Sequence, residues 1–101
     1  VDILRLWIDD LRPAPEGWVW TKSSQWAITI LQASADGGSV IDEISFDHDL
    51  GGDDTTRPVA LWLAEHDAWP PVVRVHSMNN VGREWLEGIV NRYAPPGTLR
   101  K

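Results

Sequence analysis

The chain has 101 residues, a formal net charge of −6, seven tryptophans and no cysteine. That length suits one domain, able to remove roughly two-thirds of its unfolded surface from water without cross-links, and the charge argues against broad binding to a long nucleic acid, which needs many Lys and Arg contacts to phosphates. Without cysteine there is no disulfide framework, thiolate metal site or Cys nucleophile, so a reducing cytoplasm is the expected compartment; no apolar run or leader-like N-terminus predicts membrane insertion or secretion.

Leu4-Arg5-Leu6-Trp7-Ile8 reads as a first, central strand covered on both faces, and it runs into Asp9-Asp10. Leu11 to Gly17 holds two prolines and a glycine, which forbid a regular helix. In extended form this segment can still reach a parallel second strand at Trp18-Val19-Trp20, leaving one face of the sheet thinly covered beside it. Thr21, Ser23 and Ser24 offer caps for a helix with Trp26, Ala27, Ile30, Leu31 and Ser34 on one face, ended by Asp36-Gly37-Gly38. Val40 to Phe46 is a third strand with Ile44 and Phe46 inward; it stops abruptly at Asp47-His48-Asp49, followed by Gly51-Gly52. Thr55 or Thr56 caps a helix with Pro58 in its first turn. Its residues Val59, Leu61, Trp62, Leu63 and His66 make more than one apolar stripe, which predicts a well buried helix, stopped at Trp69-Pro70-Pro71. Val72 to Val75 is a fourth strand ending in His76-Ser77, and Asn79 or Asn80 caps a last helix with Trp85, Leu86, Ile89, Val90 and Tyr93 on one face. Thr98 to Lys101 reads as a tail. Strands alternating with helices predict a small α/β sandwich with a parallel sheet in the order 2-1-3-4 and right-handed crossovers.

In open α/β sheets ligands bind outside the carboxyl ends of the strands. Three strands ending in Asp-Asp, Asp-His-Asp and His-Ser therefore pool their polar groups in one crevice. Asp9, Asp10 and Asp47 suit a hard divalent cation such as Mg²⁺ or Mn²⁺, because mutually repelling carboxylates need a cation or protons to coexist. Any one of these acids taken alone reads equally well as a turn or capping residue. His48 and His76 form an acid–base pair if both rings face the crevice, with Asp49 supporting the cation or orienting His48, although each histidine singly reads as a hydrogen-bonded strand-end residue. Ser77, Asn79 and Arg83, at a helix N-terminus, together with Arg12 beside the first acids, are candidate phosphate ligands, the alternatives being that Arg12 is only the ion-pair partner of those acids and Arg83 a solvent-facing first-turn residue. Asn79 also caps the helix whatever the function, and His66 is read as structural.

Leu6 to Pro13, Gly17-Trp18, Ser45 to Gly52 and Val75 to Arg83 resemble the cyclic-phosphate-processing receiver-like domain family over nearly the whole chain, roughly Leu4 to Tyr93. The resemblance implies a single reduced response-regulator receiver domain: a receiver-like three-layer sandwich with a four-stranded parallel sheet and about three helices. Asp9 and Asp10 match the receiver's paired metal-binding acids, Asp47 its phosphoacceptor position and Ser77 its hydroxyl position. No fifth strand bearing the receiver's lysine is evident, while His48, His76 and Arg83 are added, so phosphorelay signalling is disfavoured. Where relatives tend to carry Gly-Tyr-Asp this chain has Thr56-Arg57-Pro58, which makes Arg57 a candidate local phosphate contact, and Asn80 stands where a proline is common.

What this implies is metal-assisted processing of a cyclic phosphate on a nucleotide or an RNA terminus. The alternative is a non-catalytic module that captures a nucleotide or docks on a protein through the Trp-rich, thinly covered side of the sheet.

Overall fold

A computed structural model describes residues 2–101. The chain runs β1 (Asp2–Ile8), β2 (Val19–Thr21), α1 (Ser24–Ala35), β3 (Ser39–Phe46), α2 (Arg57–His66), β4 (Val72–Val75), α3 (Asn80–Tyr93) and β5 (Leu99–Arg100). All strand pairings are parallel, in the order β2-β1-β3-β4-β5. The expected first four strands are in their expected order. The expected tail instead adds a fifth strand, in which Leu99 pairs with Val72 and Arg100 with Val73.

Handedness dictates where the helices go. From β2 the chain advances in one direction across the sheet to β3, β4 and β5, so right-handed crossovers put all three helices on the same face. Accordingly α1 packs on α2 and α2 on α3. That face presents Leu6, Ile8, Ile44, Phe46, Val73 and Val75 to Ala27, Leu31, Val59, Ala60, Leu63, Leu86 and Val90 of the helices, forming one apolar core. The one crossover that runs the other way, β1 to β2, would have to cover the opposite face. It is the proline-containing loop and holds no helix, so the third layer of the expected sandwich consists of that loop and the side chains of the strands.

Local signals account for the helix ends. The Ser23 hydroxyl accepts from the Trp26 N–H at 3.1 Å and caps α1, and the Asn79 side chain accepts from the Gly82 N–H at 3.1 Å and caps α3. At α2, Thr55 Oγ1 accepts from the Arg57 N–H at 3.2 Å, while the Thr56 hydroxyl donates to the Asp47 carbonyl at 2.6 Å. Instead of continuing to Trp69, α2 ends at His66, because Asp67 turns into the left-handed region with φ 49°. Helix α2 is also buried on one side only: Val59 and Leu63 are in the core, but Leu61 is about half exposed.

No described helix is long and apolar enough to cross a membrane.

Candidate functional site: an acidic crevice at the switch point

The strand order reverses between β1 and β3, and ligand crevices form at such a switch point. Asp9 follows β1 there and Asp47 follows β3. They line a cavity of about 570 Å³ together with Asp10, Leu11, Arg12, Asp49, Gly51, Ser77, Met78 and Asn79. One carboxylate oxygen from each of Asp9, Asp10 and Asp47 lies within 4.8 Å of the others, so the cluster can hold a metal ion. Gly51 has φ +86°, which a side chain rarely adopts, and its Cα side lies close to the Asp10 carboxylate.

Asp9 is the most constrained of the acids and is almost fully buried. Its Oδ1 accepts from the Leu11 and Arg12 N–H groups, both at 2.9 Å, and its Oδ2 is 3.0 Å from His76 Nε2. Burial alone would push the Asp9 carboxyl up, but the two backbone N–H groups and His76 outweigh it and hold the group below the ordinary carboxylate range. Asp47 behaves oppositely. Burial, reinforced by the charge of Asp9, pushes its carboxyl up against the opposing pull of the His48 N–H, which donates to Oδ1 at 2.9 Å. Two adjacent acids driven apart in this way are a pair that a cation would relieve.

The two histidines do not face the crevice together. His48 is buried under the first turn of α3, where a Cβ on Gly82 would lie 2.2 Å from its Cγ. Both of its ring nitrogens are engaged: Nε2 accepts from Arg57 Nε at 2.9 Å, and Nδ1 is 3.1 Å from Asp49 Oδ1. Asp49 in turn accepts from Asn79 Nδ2 at 2.9 Å, so these residues form a strut from α2 across the β3 loop to the cap of α3. The Asn79 amide and then His48 hold the Asp49 carboxyl below its ordinary range despite some burial. Arg57 is committed to this strut and lies over the Trp85 ring, 4.7 Å from its centroid; it is not among the crevice residues. His76 also has both nitrogens engaged, by Asp9 and by Ser45 Oγ at 2.7 Å, and its ring stacks on Trp7 with centroids 3.9 Å apart. Burial pushes the His76 imidazole down, partly offset by Asp9 and Asp47.

Of the expected phosphate ligands, Arg12, Ser77 and Asn79 line the crevice. Arg83 does not. Its Nε is 3.6 Å from Glu87 Oε1, and it borders a separate cavity with Val73, Val90 and Arg100. Lys101, which follows the unexpected fifth strand, borders that second cavity as well, and its backbone N–H pairs with the Val73 carbonyl, so no lysine from β5 enters the crevice.

Several supporting residues escape sequence reasoning. Trp20 Nε1 donates to the Asp9 carbonyl at 2.6 Å and Trp7 Nε1 to the Arg12 carbonyl at 2.9 Å, tying the Asp9–Arg12 turn to the sheet. Asp54 accepts from the Ser24 N–H at 2.9 Å and its hydroxyl at 2.6 Å, fastening the glycine turn to α1. Ser45 carried a usable signal: a polar residue inside an apolar strand, two positions before Asp47 and so on the same face.

A parallel sheet in the order 2-1-3-4-5 with paired acids after β1 and a third after β3 defines a receiver-like domain. Residues 4–92 match the family described as the cyclic-phosphate processing receiver domain, and the chain belongs to that family. No curated protein and no solved structure matches it significantly.

Proposed function

We propose that this domain hydrolyses a cyclic phosphate ester on a nucleotide or an RNA terminus with the aid of Mg²⁺ or Mn²⁺. The observation that carries this reading is the convergence of the Asp9, Asp10 and Asp47 oxygens within 4.8 Å, in a crevice whose other wall bears Ser77. All three donors are carboxylate oxygens, which is the donor set such cations take, and the upward push on Asp47, from burial first and then from the charge of Asp9, is one that a nearby positive charge offsets. When bound, the cation supplies Lewis acidity toward the phosphate oxygens. Arg12, whose side chain is exposed at the crevice, offers a forked contact to the same phosphate, and the buried Ser77 hydroxyl offers a hydrogen bond. Asn79 and Asp49 keep this wall in place through the cap of α3. In the reaction water adds to phosphorus, one ring P–O bond breaks, and the water proton ends on the alcohol released, leaving a monoester.

Cyclic mononucleotides and RNA ending in a cyclic phosphate, incubated with the protein and Mn²⁺, are expected to give ring-opened monoesters. Asp47→Ala is expected to lower the rate at least about 100-fold, the scale of losing a preorganised charge-stabilising group. No turnover of any substrate, or turnover unchanged in Asp47→Ala, removes this reading.

A second reading is favoured by one observation: both imidazoles have their nitrogens engaged, and neither lines the crevice. A module that captures a cyclic phosphate without opening it needs no acid–base pair. Calorimetry showing cation-dependent binding with no product formed selects it.

A further inference from the structure

Asp9 sits in a closed circuit of contacts on the sheet face that carries no helix. Its Oδ1 takes the Arg12 N–H; the Arg12 carbonyl takes Trp7 Nε1; the Trp7 ring stacks on the His76 ring at an interplanar angle of 6°; and His76 Nε2 returns to Asp9 Oδ2. One group braces the circuit from below. Ser45 Oγ, 2.7 Å from His76 Nδ1, belongs to the penultimate residue of β3, which is about 1% exposed.

A serine, a histidine and an aspartate in this order resemble a nucleophilic triad, but burial rules that use out. Ser45 does not line the crevice, and no substrate atom can approach its hydroxyl. The hydrogen-bonding inventory gives the arrangement another meaning. A carboxylate only accepts, so the nitrogen facing Asp9 must carry the proton. The other nitrogen then presents a lone pair, and the Ser45 hydroxyl is the donor that fills it. Remove that donor and Nδ1 is left buried without a partner, so the ring is held toward Asp9 from one side only.

We infer that Ser45 and His76 are positioning residues: Ser45 braces from the far side the Nε2–H tautomer of His76 that Asp9 demands, and His76 holds the Asp9 carboxylate in the orientation in which it joins Asp10 and Asp47 as a cation ligand. This rests on the cation reading above and assigns His76 to orienting a ligand instead of moving a proton to or from substrate. Outer hydrogen bonds of this kind orient ligating groups, and losing one typically weakens metal affinity 10- to 100-fold. A residue that merely filled space would change stability and leave the affinity of the folded protein alone.

The test is Mn²⁺ titration of the folded protein, followed by tryptophan fluorescence, with thermal melts run alongside. Ser45→Ala is expected to weaken Mn²⁺ binding about tenfold, and Ser45→Thr, which keeps the hydroxyl, to stay within about threefold of the parent. His76→Gln keeps an N–H toward Asp9 and is expected to bind nearly normally, whereas His76→Leu is not; this pair decides the matter if Ser45→Ala does not fold. Independently of any metal, long-range proton–nitrogen correlation spectra are expected to show the His76 proton on Nε2 in the parent. A proton on Nδ1, or Ser45→Ala and His76→Leu binding Mn²⁺ as tightly as the parent, overturns the inference and leaves the cation reading standing. A parent protein that binds no Mn²⁺ overturns both.

Discussion

The two faces of this sheet are built on different physics. On the helix side Leu6, Ile8, Ile44 and Phe46 are wholly buried among aliphatic side chains, and order there comes from area removed from water. On the opposite face Trp7, Glu43 and Ser45 are also buried, yet no helix covers them. They are covered by one another and by neighbours that bond to them: Arg74 pairs with Glu43, His76 with Ser45, and Trp18 meets Trp7 edge-on at 5.8 Å. The helix side holds the domain together, and the open side sets the orientation of the group that faces the crevice. Apolar packing tolerates volume-conserving change, whereas a chain of hydrogen bonds depends on each partner.

The contrast can be broken most severely from the helix side. Phe46→Ala is expected to cost about 3–5 kcal/mol in urea unfolding, the range for truncating a buried aromatic. A loss under about 1 kcal/mol would mean that the apolar face is not the main source of stability.

Where the two regions meet, Gly82→Ala is expected to cost about 1–3 kcal/mol, because the new methyl would collide with the His48 ring. Adding His48→Ala should recover much of that loss. Strict additivity in the double mutant would contradict the close packing of His48 under α3.

The pH dependence sharpens the open face. The folded-state pKa of His76 is lowered below its ordinary 6.5, chiefly by burial. Its contribution to stability is therefore present above about pH 6.5 and lost as pH falls through the lower folded value. The metal-free protein is expected to lose stability as pH falls below about 6.5, with a shallower loss in His76→Gln. Equal slopes in the two proteins would take His76 out of this part of the profile.

The smallest effect runs the other way. Asp47 is raised above 3.8 by burial and by Asp9, so its ionised form destabilises the metal-free fold as pH rises past that value. Asp47→Asn is expected to raise the neutral-pH Tm without cation and to lose the stabilisation that Mn²⁺ gives the parent. A lower Tm in metal-free buffer would contradict the repulsion.

Much of this architecture was legible in the residues, because strands ending in Asp9-Asp10, Asp47-His48-Asp49 and His76-Ser77 announce a crevice through a fixed topological rule. The helix-free face was legible too, since the prolines between Leu11 and Gly17 rule out the one crossover helix that would cover it. The fifth strand was not: two residues after Pro95-Pro96-Gly97 carry no periodicity, and Leu99 and Arg100 are fixed only by pairing with Val72 and Val73. Histidine orientation was half legible. Alternation past Phe46 puts Asp47 on one face and His48 on the other, but only the close approach of Gly82, distant in sequence, shows what His48 packs against. Arg83 illustrates the limit of spacing arguments, because its place in the first turn of α3 does not reveal whether its side chain turns toward the crevice or, as here, toward Glu87.

Paramagnetic broadening by Mn²⁺ of the backbone amide spectrum tests the central claim most directly. The acidic crevice is predicted to be the site, so amide signals of Asp10, Asp47 and Ser77 should disappear first, while those of Asn91 and Lys101, beside the second cavity, persist. Broadening centred on the second cavity, spread evenly over the acidic surface, or absent altogether would contradict the account.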